Sequence, residues 1–130
     1  MSSAHDIGAV ALIEVGAKCY SRTRQDVDGY PLGGLVVEVL DDVDRETGEV
    51  VRAYRTLSHA GARPPIEHRL SVSEVDPTTV QPVSMFEALK MLRRLCQEIG
   101  ASKHRSFDVH ELERIADIGR LARLLRGGIR

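Results

Sequence analysis

The spacing of apolar residues changes period once along this chain, at Pro82, and that change limits what the chain can fold into. Before it, short runs rich in valine alternate every second position and are cut by glycine, proline and aspartate. After it, apolar residues recur every three or four positions. Strands therefore come first and helices second, and the expected fold class is α+β. At 130 residues the chain is long enough to bury a core without disulfides or a structural metal.

Residues 33–57, GGLVVEVLDDVDRETGEVVRAYRTL, read as two strands folded back on each other. Their connection carries aspartates and Gly48, which suit a turn. The acids of that tip, Asp41, Asp42, Asp44, Glu46 and Glu49, lack the D-x-[DN]-x-[DN]-G order of a calcium loop and read as a solvated turn. A first strand, GAKCYSR, precedes the pair, followed by TRQDVDGYPLGG, a polar loop punctuated by glycine and proline. A second loop holds Pro64 and Pro65. HRLSVSEVDPTTVQPV then reads as a strand, a short turn and a last strand. Such closely spaced short strands predict a small antiparallel barrel.

The order of these runs resembles an SH3-like small barrel of the KOW-like kind over residues 15–83. Gly34, Val36 and Val39 match a G-x-V-x-x-V hairpin, and Leu70, Ser71, Glu74, Val75 and Pro77 match the turn before the closing strand. The resemblance implies a scaffold rather than an activity, because such barrels bind nucleic acid, bind proteins or serve as plain scaffolding.

Past Pro82, Ser84 and Glu87 have capping-box spacing, and a helix is expected to run to Gly100. Its apolar stripe is Met85, Leu89, Leu92, Cys96 and Ile99, widened by Phe86, Met91 and Leu95. A second helix is expected from near Asp108 to Gly127. Its apolar face is Leu112, Ile115, Ile118, Leu121 and Leu125, with Gly119 and Ala122 inside it. Glu113, Asp117, Arg120 and Arg123 lie towards the other side, where Leu124 is the one stray apolar residue. The sequence thus divides into a barrel over 1–83 and an amphipathic helical hairpin over 84–130.

Charge divides at nearly the same place. Residues 1–84 hold 8 Lys/Arg against 13 Asp/Glu, a balance of −5, and residues 85–130 hold 10 against 6, a balance of +4. A basic tail on an acidic body is expected to bind nucleic acid, a membrane surface or an acidic partner, or to dock on its own body. Lys103, Arg105, Arg114, Arg120, Arg123 and Arg126 are the candidate phosphate contacts, since arginine bonds phosphate through two donors at once. Lys18, Arg22, Arg24, Arg52, Arg55 and Arg69 are a second candidate patch on the barrel. The rival expectation is a protein-protein adaptor or assembly subunit, with Leu89, Leu92, Leu112, Ile115, Leu121 and Leu125 facing a protein partner or a second copy in a homodimer.

Catalytic motifs are lacking. His5, His59, His68, His104 and His110 form no H-E-x-x-H and no metal spacing with Cys19 or Cys96, and both cysteines read as buried free thiols. No phosphate-binding or dinucleotide fingerprint occurs, so neither a cofactor nor a small-molecule substrate is expected. No apolar run reaches membrane-spanning length, and the N-terminal residues do not resemble a signal peptide, so a cytoplasmic location is expected. A compact chain without a recognisable site also suits an accessory protein of a phage or other mobile element.

Overall fold

The computed structural model describes residues 13–44, 46–58, 65–101 and 108–127. Lys103, Arg105, His5, His59 and His104 lie outside these residues. The chain forms strands β1 (Ala17–Gln25), β2 (Pro31–Val43), β3 (Val50–Ser58), β4 (Ile66–Ser71) and β5 (Gln81–Pro82). Two 3-10 turns, Val72–Glu74 and Pro77–Thr79, separate β4 from β5, and helices α1 (Met85–Ala101) and α2 (Val109–Gly127) follow. The fold class is α+β: one antiparallel sheet in the order β4-β3-β2-β1-β5, then a helical hairpin.

The edge strands β4 and β5 are not neighbours in the sheet, so it is not closed. A single bridge, Ser21 to Val75, draws the chain beyond β4 back to β1. Asp76 caps the second 3-10 turn by accepting from the Thr78 amide at 3.0 Å, and its own amide donates to the Tyr20 carbonyl of β1 at 2.9 Å.

Valine alternation in β2 is set between two cores. Val36 points into one with Ile13, Cys19, Tyr54, Leu70 and Val75. Leu35 and Val37 point into the other, with Leu57, Val83, Ala88, Met91, Leu95 and Leu121. The second core is shared by sheet and helices, so the units expected over 1–83 and 84–130 bury their apolar faces on each other. Burial of Cys19 in the first core pushes its thiol pKa up to about 12.

GYPLGG is not wholly a loop, because β2 starts at Pro31 and includes both glycines. Gly33 and Gly34 have φ of 142° and lie under the backbones of β1 and β3. A Cβ on Gly33 would fall 2.2 Å from the Cys19 carbonyl oxygen, and one on Gly34 2.4 Å from that of Leu57. Glycine is needed here for close approach of three strands rather than for a turn.

The register of β2 against β3 shifts between Val36 and Glu38, leaving Val37 as an extra residue. This bulge sets Glu38 directly across from Arg55. The charged contact between sheet and α2 depends on that pairing.

Candidate functional site

Helix α1 begins at the expected cap: Ser84 Oγ accepts from the Glu87 amide at 3.1 Å. The Glu87 carboxylate also reaches Lys18 of β1 at 2.9 Å, and the hydrogen bond from Lys18 holds its pKa below the usual glutamate value. In α2, Asp108 caps by accepting from the Glu111 amide at 2.9 Å. Both helix starts match their sequence signals.

Which face is buried differs from the expectation. In α1 the buried residues are Ala88, Met91 and Leu95, each one position before Leu89, Leu92 and Cys96. One residue is about 100° of helix. Leu92 packs at the edge of the core, Leu89 is half-buried, and Cys96 is exposed rather than buried. The apolar arc of α1 is wide enough for either face, and the small Ala88 lets that side approach the sheet.

In α2 the buried residues are Glu111, Arg114, Asp117 and Leu121. Leu112 and Ile115, the first two residues of the expected apolar face, are 54% and 39% exposed. Leu121 is buried, and Ile118, Leu124 and Leu125 pack against the core. Leu124 is therefore no stray: it packs over Gly16, in the turn just before β1.

The helix turns this way because a charge cluster fastens it to the sheet. Arg55, on the helix-facing side of β3 between Ala53 and Leu57, is 1% exposed, and Asp117 of α2 is fully buried. The guanidinium forks onto the carboxylate, donating from Nη1 to Oδ2 at 3.1 Å and from Nη2 to Oδ1. Arg55 also donates from Nε to Glu38 at 2.8 Å and from Nη1 to Glu67 of β4 at 2.6 Å. Burial disfavours its cation, but the hydrogen bonds to Asp117 and Glu38 outweigh that and raise its pKa.

The predicted phosphate contacts divide around this cluster. Arg114 is 3% exposed; it donates to the Pro65 carbonyl at 3.0 Å and lies 3.4 Å from Glu98 and 3.7 Å from Asp117. Arg120 donates to Asp117 and to Glu38, each at 2.9 Å. Both arginines are thus engaged within the fold, and Asp117 and Arg120 face the sheet rather than solvent. Arg123 and Arg126 are exposed.

The second predicted patch divides as well. Lys18 pairs with Glu87, Arg24 with Glu74, and Arg52 donates to the Ile13 carbonyl at 2.8 Å. Arg22, Arg24 and Arg69 line a cleft of about 570 Å³ with Asp42, Asp44 and Glu74, so cations and carboxylates share it. Arg22 is drawn onto the Ser73 carbonyl at 2.6 Å there.

Set against known proteins, the chain matches no family model, no curated protein and no solved structure. Its own geometry is what bears on function.

What remains uncovered is the side of the hairpin turned away from these contacts. Phe86 is 74% exposed and stands near Met85, also exposed, at the start of α1. On α2, Val109, Leu112 and Ile115 are exposed, and, apart from the helix itself, nothing among the described residues lies within 4 Å of where a Cβ on Gly119 would sit. No helix among the described residues is long and apolar enough to cross a membrane.

Sequence reading missed Arg55 and Asp117 as partners, though each carries a signal. Arg55 falls at an inward position of β3, and Asp117 recurs at three- and four-residue spacing with Arg114 and Leu121. A charge on an apolar face implies a paired charge opposite it.

Glu38 makes the cluster sensitive to acid. Burial opposes its ionised form, but the Arg55 hydrogen bond and the charges of Arg120 and Arg55 hold its pKa below the ordinary 4.5. A depressed folded-state pKa means that its contribution is complete above pH 4.5 and is lost as pH falls through the lower value. Stability measured by urea unfolding from about pH 7 down to about pH 3 is expected to fall less steeply for Glu38→Gln than for the native chain. Parallel curves for the two proteins would show that Glu38 is not the group responsible.

Proposed function

We propose that this chain is a non-catalytic binding module whose helical hairpin presents its outer face to a protein partner, either a different protein or a second copy of itself. The observation that carries this reading is the exposure of Leu112 and Ile115 on α2 beside the open Gly119. Apolar side chains at regular helical spacing, left outside the two cores formed by the described residues, mark an interface. The sheet, with a 3-10 turn before β5 and β5 set against β1, supports an SH3-like scaffold for that hairpin.

A second reading is binding of nucleic-acid phosphates, favoured by the outward position of Arg123 and Arg126. It ranks lower because Arg114 and Arg120 already serve the internal cluster.

The double substitution Leu112→Ser and Ile115→Ser is the test. Because both residues face solvent, stability is expected to change by less than about 1 kcal/mol. Crosslinking to captured partner, or self-association followed by sedimentation, should be lost. Full retention of both would overturn the reading. Salt-sensitive binding to duplex DNA or RNA, abolished by Arg123→Gln with Arg126→Gln, would move the weight to phosphates.

A further inference from the structure

We propose that the exposed flank of α1 takes an acidic amphipathic helix of about three turns. This rests on the protein-partner reading above and names the chemistry of one partner. The observation is a shallow groove of about 330 Å³ lined by Phe86, Leu89, Lys90, Arg93, Arg94 and Gln97. These positions form two ridges at four-residue spacing, Phe86-Lys90-Arg94 and Leu89-Arg93-Gln97. The groove between them runs along the helix axis, where a second helix can seat a ridge of its own side chains. From Phe86 to Gln97 the helix rises about 16 Å, the length of three turns in a partner.

The lining fixes the partner's chemistry. Three of its six residues are cations and none is an acid. The acid within this stretch, Glu87, is turned to Lys18 of β1 and held there at 2.9 Å. Phe86 and Leu89 add apolar surface at one end, and lysine and arginine stems extend it beneath their charged heads. A partner must therefore offer apolar side chains on one stripe and carboxylates along its flanks. Nucleic acid would satisfy the cations and leave Phe86 in water. The α2 face of a second copy is also a poor match, since it turns Arg123 and Arg126 outward.

The probe is a fluorescein-labelled peptide of about four turns, with leucine along one face and glutamate on the others, compared with its lysine counterpart. Fluorescence anisotropy with the full chain should show the glutamate peptide bound at least about tenfold more tightly than the lysine one. Lys90→Gln with Arg93→Gln should weaken binding about tenfold, and Phe86→Ser severalfold, with unfolding midpoints unchanged because these residues are exposed. Equal binding of both peptides would overturn the proposal, as would indifference to Phe86→Ser. Displacement of the bound glutamate peptide by duplex DNA or RNA at near-physiological salt would assign the cations to phosphates instead and overturn it too. If the glutamate peptide fails to bind while partner capture still depends on Leu112 and Ile115, this inference fails and the binding-module reading stands.

Discussion

Replacing Asp117 by alanine is expected to destabilise the folded chain by about 3–5 kcal/mol, read from urea unfolding followed by circular dichroism. Asp117 is fully buried and faces three guanidinium groups, those of Arg55, Arg120 and Arg114. Removing it leaves Arg55 with Glu38 and Glu67, both partly exposed, and strips the buried end of the fork. An uncompensated buried charge dominates that cost, because its hydration is gone and its partner is missing. Asp117→Asn keeps the shape and loses the charge, so it should fall between alanine and the native chain. The paired replacement Arg55→Met with Asp117→Leu removes both buried charges and should recover most of the loss. Glu38 would keep Arg120 in that variant, and Glu67 can turn to water. A loss below about 1 kcal/mol in Asp117→Ala would show that the cluster contributes little to holding α2.

The same cluster explains what could and could not be read from the sequence. Period and punctuation were sufficient for the order of elements, because alternation in β2 and β3 and the caps at Ser84 and Asp108 are local signals. The rotation of each helix was not legible. Leu112 and Ile115 make a better apolar stripe on paper than Glu111, Arg114 and Asp117. Apolarity alone therefore selects the wrong side of the first turns of α2. The side is decided by Arg55, some sixty residues earlier, and Glu38 joins it there only because a bulge at Val37 breaks the parity of β2. Hydrophobic period sees neither a long-range ion pair nor a single extra residue. In α1 the competition was between two apolar faces, Ala88-Met91-Leu95 and Leu89-Leu92-Cys96, and the smaller residue won because it allows the closer approach. The candidate interface was legible in part: Leu112, Ile115 and Leu89 were expected to meet a partner, while the groove along Lys90 and Arg93 depends on which face α1 buries.

One substitution, glycine to alanine, is expected to act with opposite sign at Gly34 and Gly119. At Gly34, φ is 142° and a Cβ would stand 2.4 Å from the Leu57 carbonyl oxygen and 2.9 Å from its carbon. The obstacle is backbone of β3, paired to β2 on one side and β4 on the other, so it cannot swing away as a flexible side chain would. Strain at the unfavourable φ costs about 1–3 kcal/mol, and forcing the strands apart costs a similar amount again. Against a total stability of about 5–15 kcal/mol, Gly34→Ala should lower the unfolding midpoint sharply and leave a sizeable unfolded population on warming. Gly119 lies inside α2, with nothing within 4 Å of the position its added methyl group would take. There alanine restricts the unfolded chain more than the helix, and Gly119→Ala should stabilise by about 1 kcal/mol. The pair separates two roles of glycine by one measurement: equal shifts in the two variants would mean that β1, β2 and β3 are not pressed together at Gly34. If Gly119 also admits a partner's backbone, its alanine variant should be the more stable protein and the weaker binder. Effects within the free chain do not produce that combination, because a methyl group in open solvent touches nothing until a partner arrives.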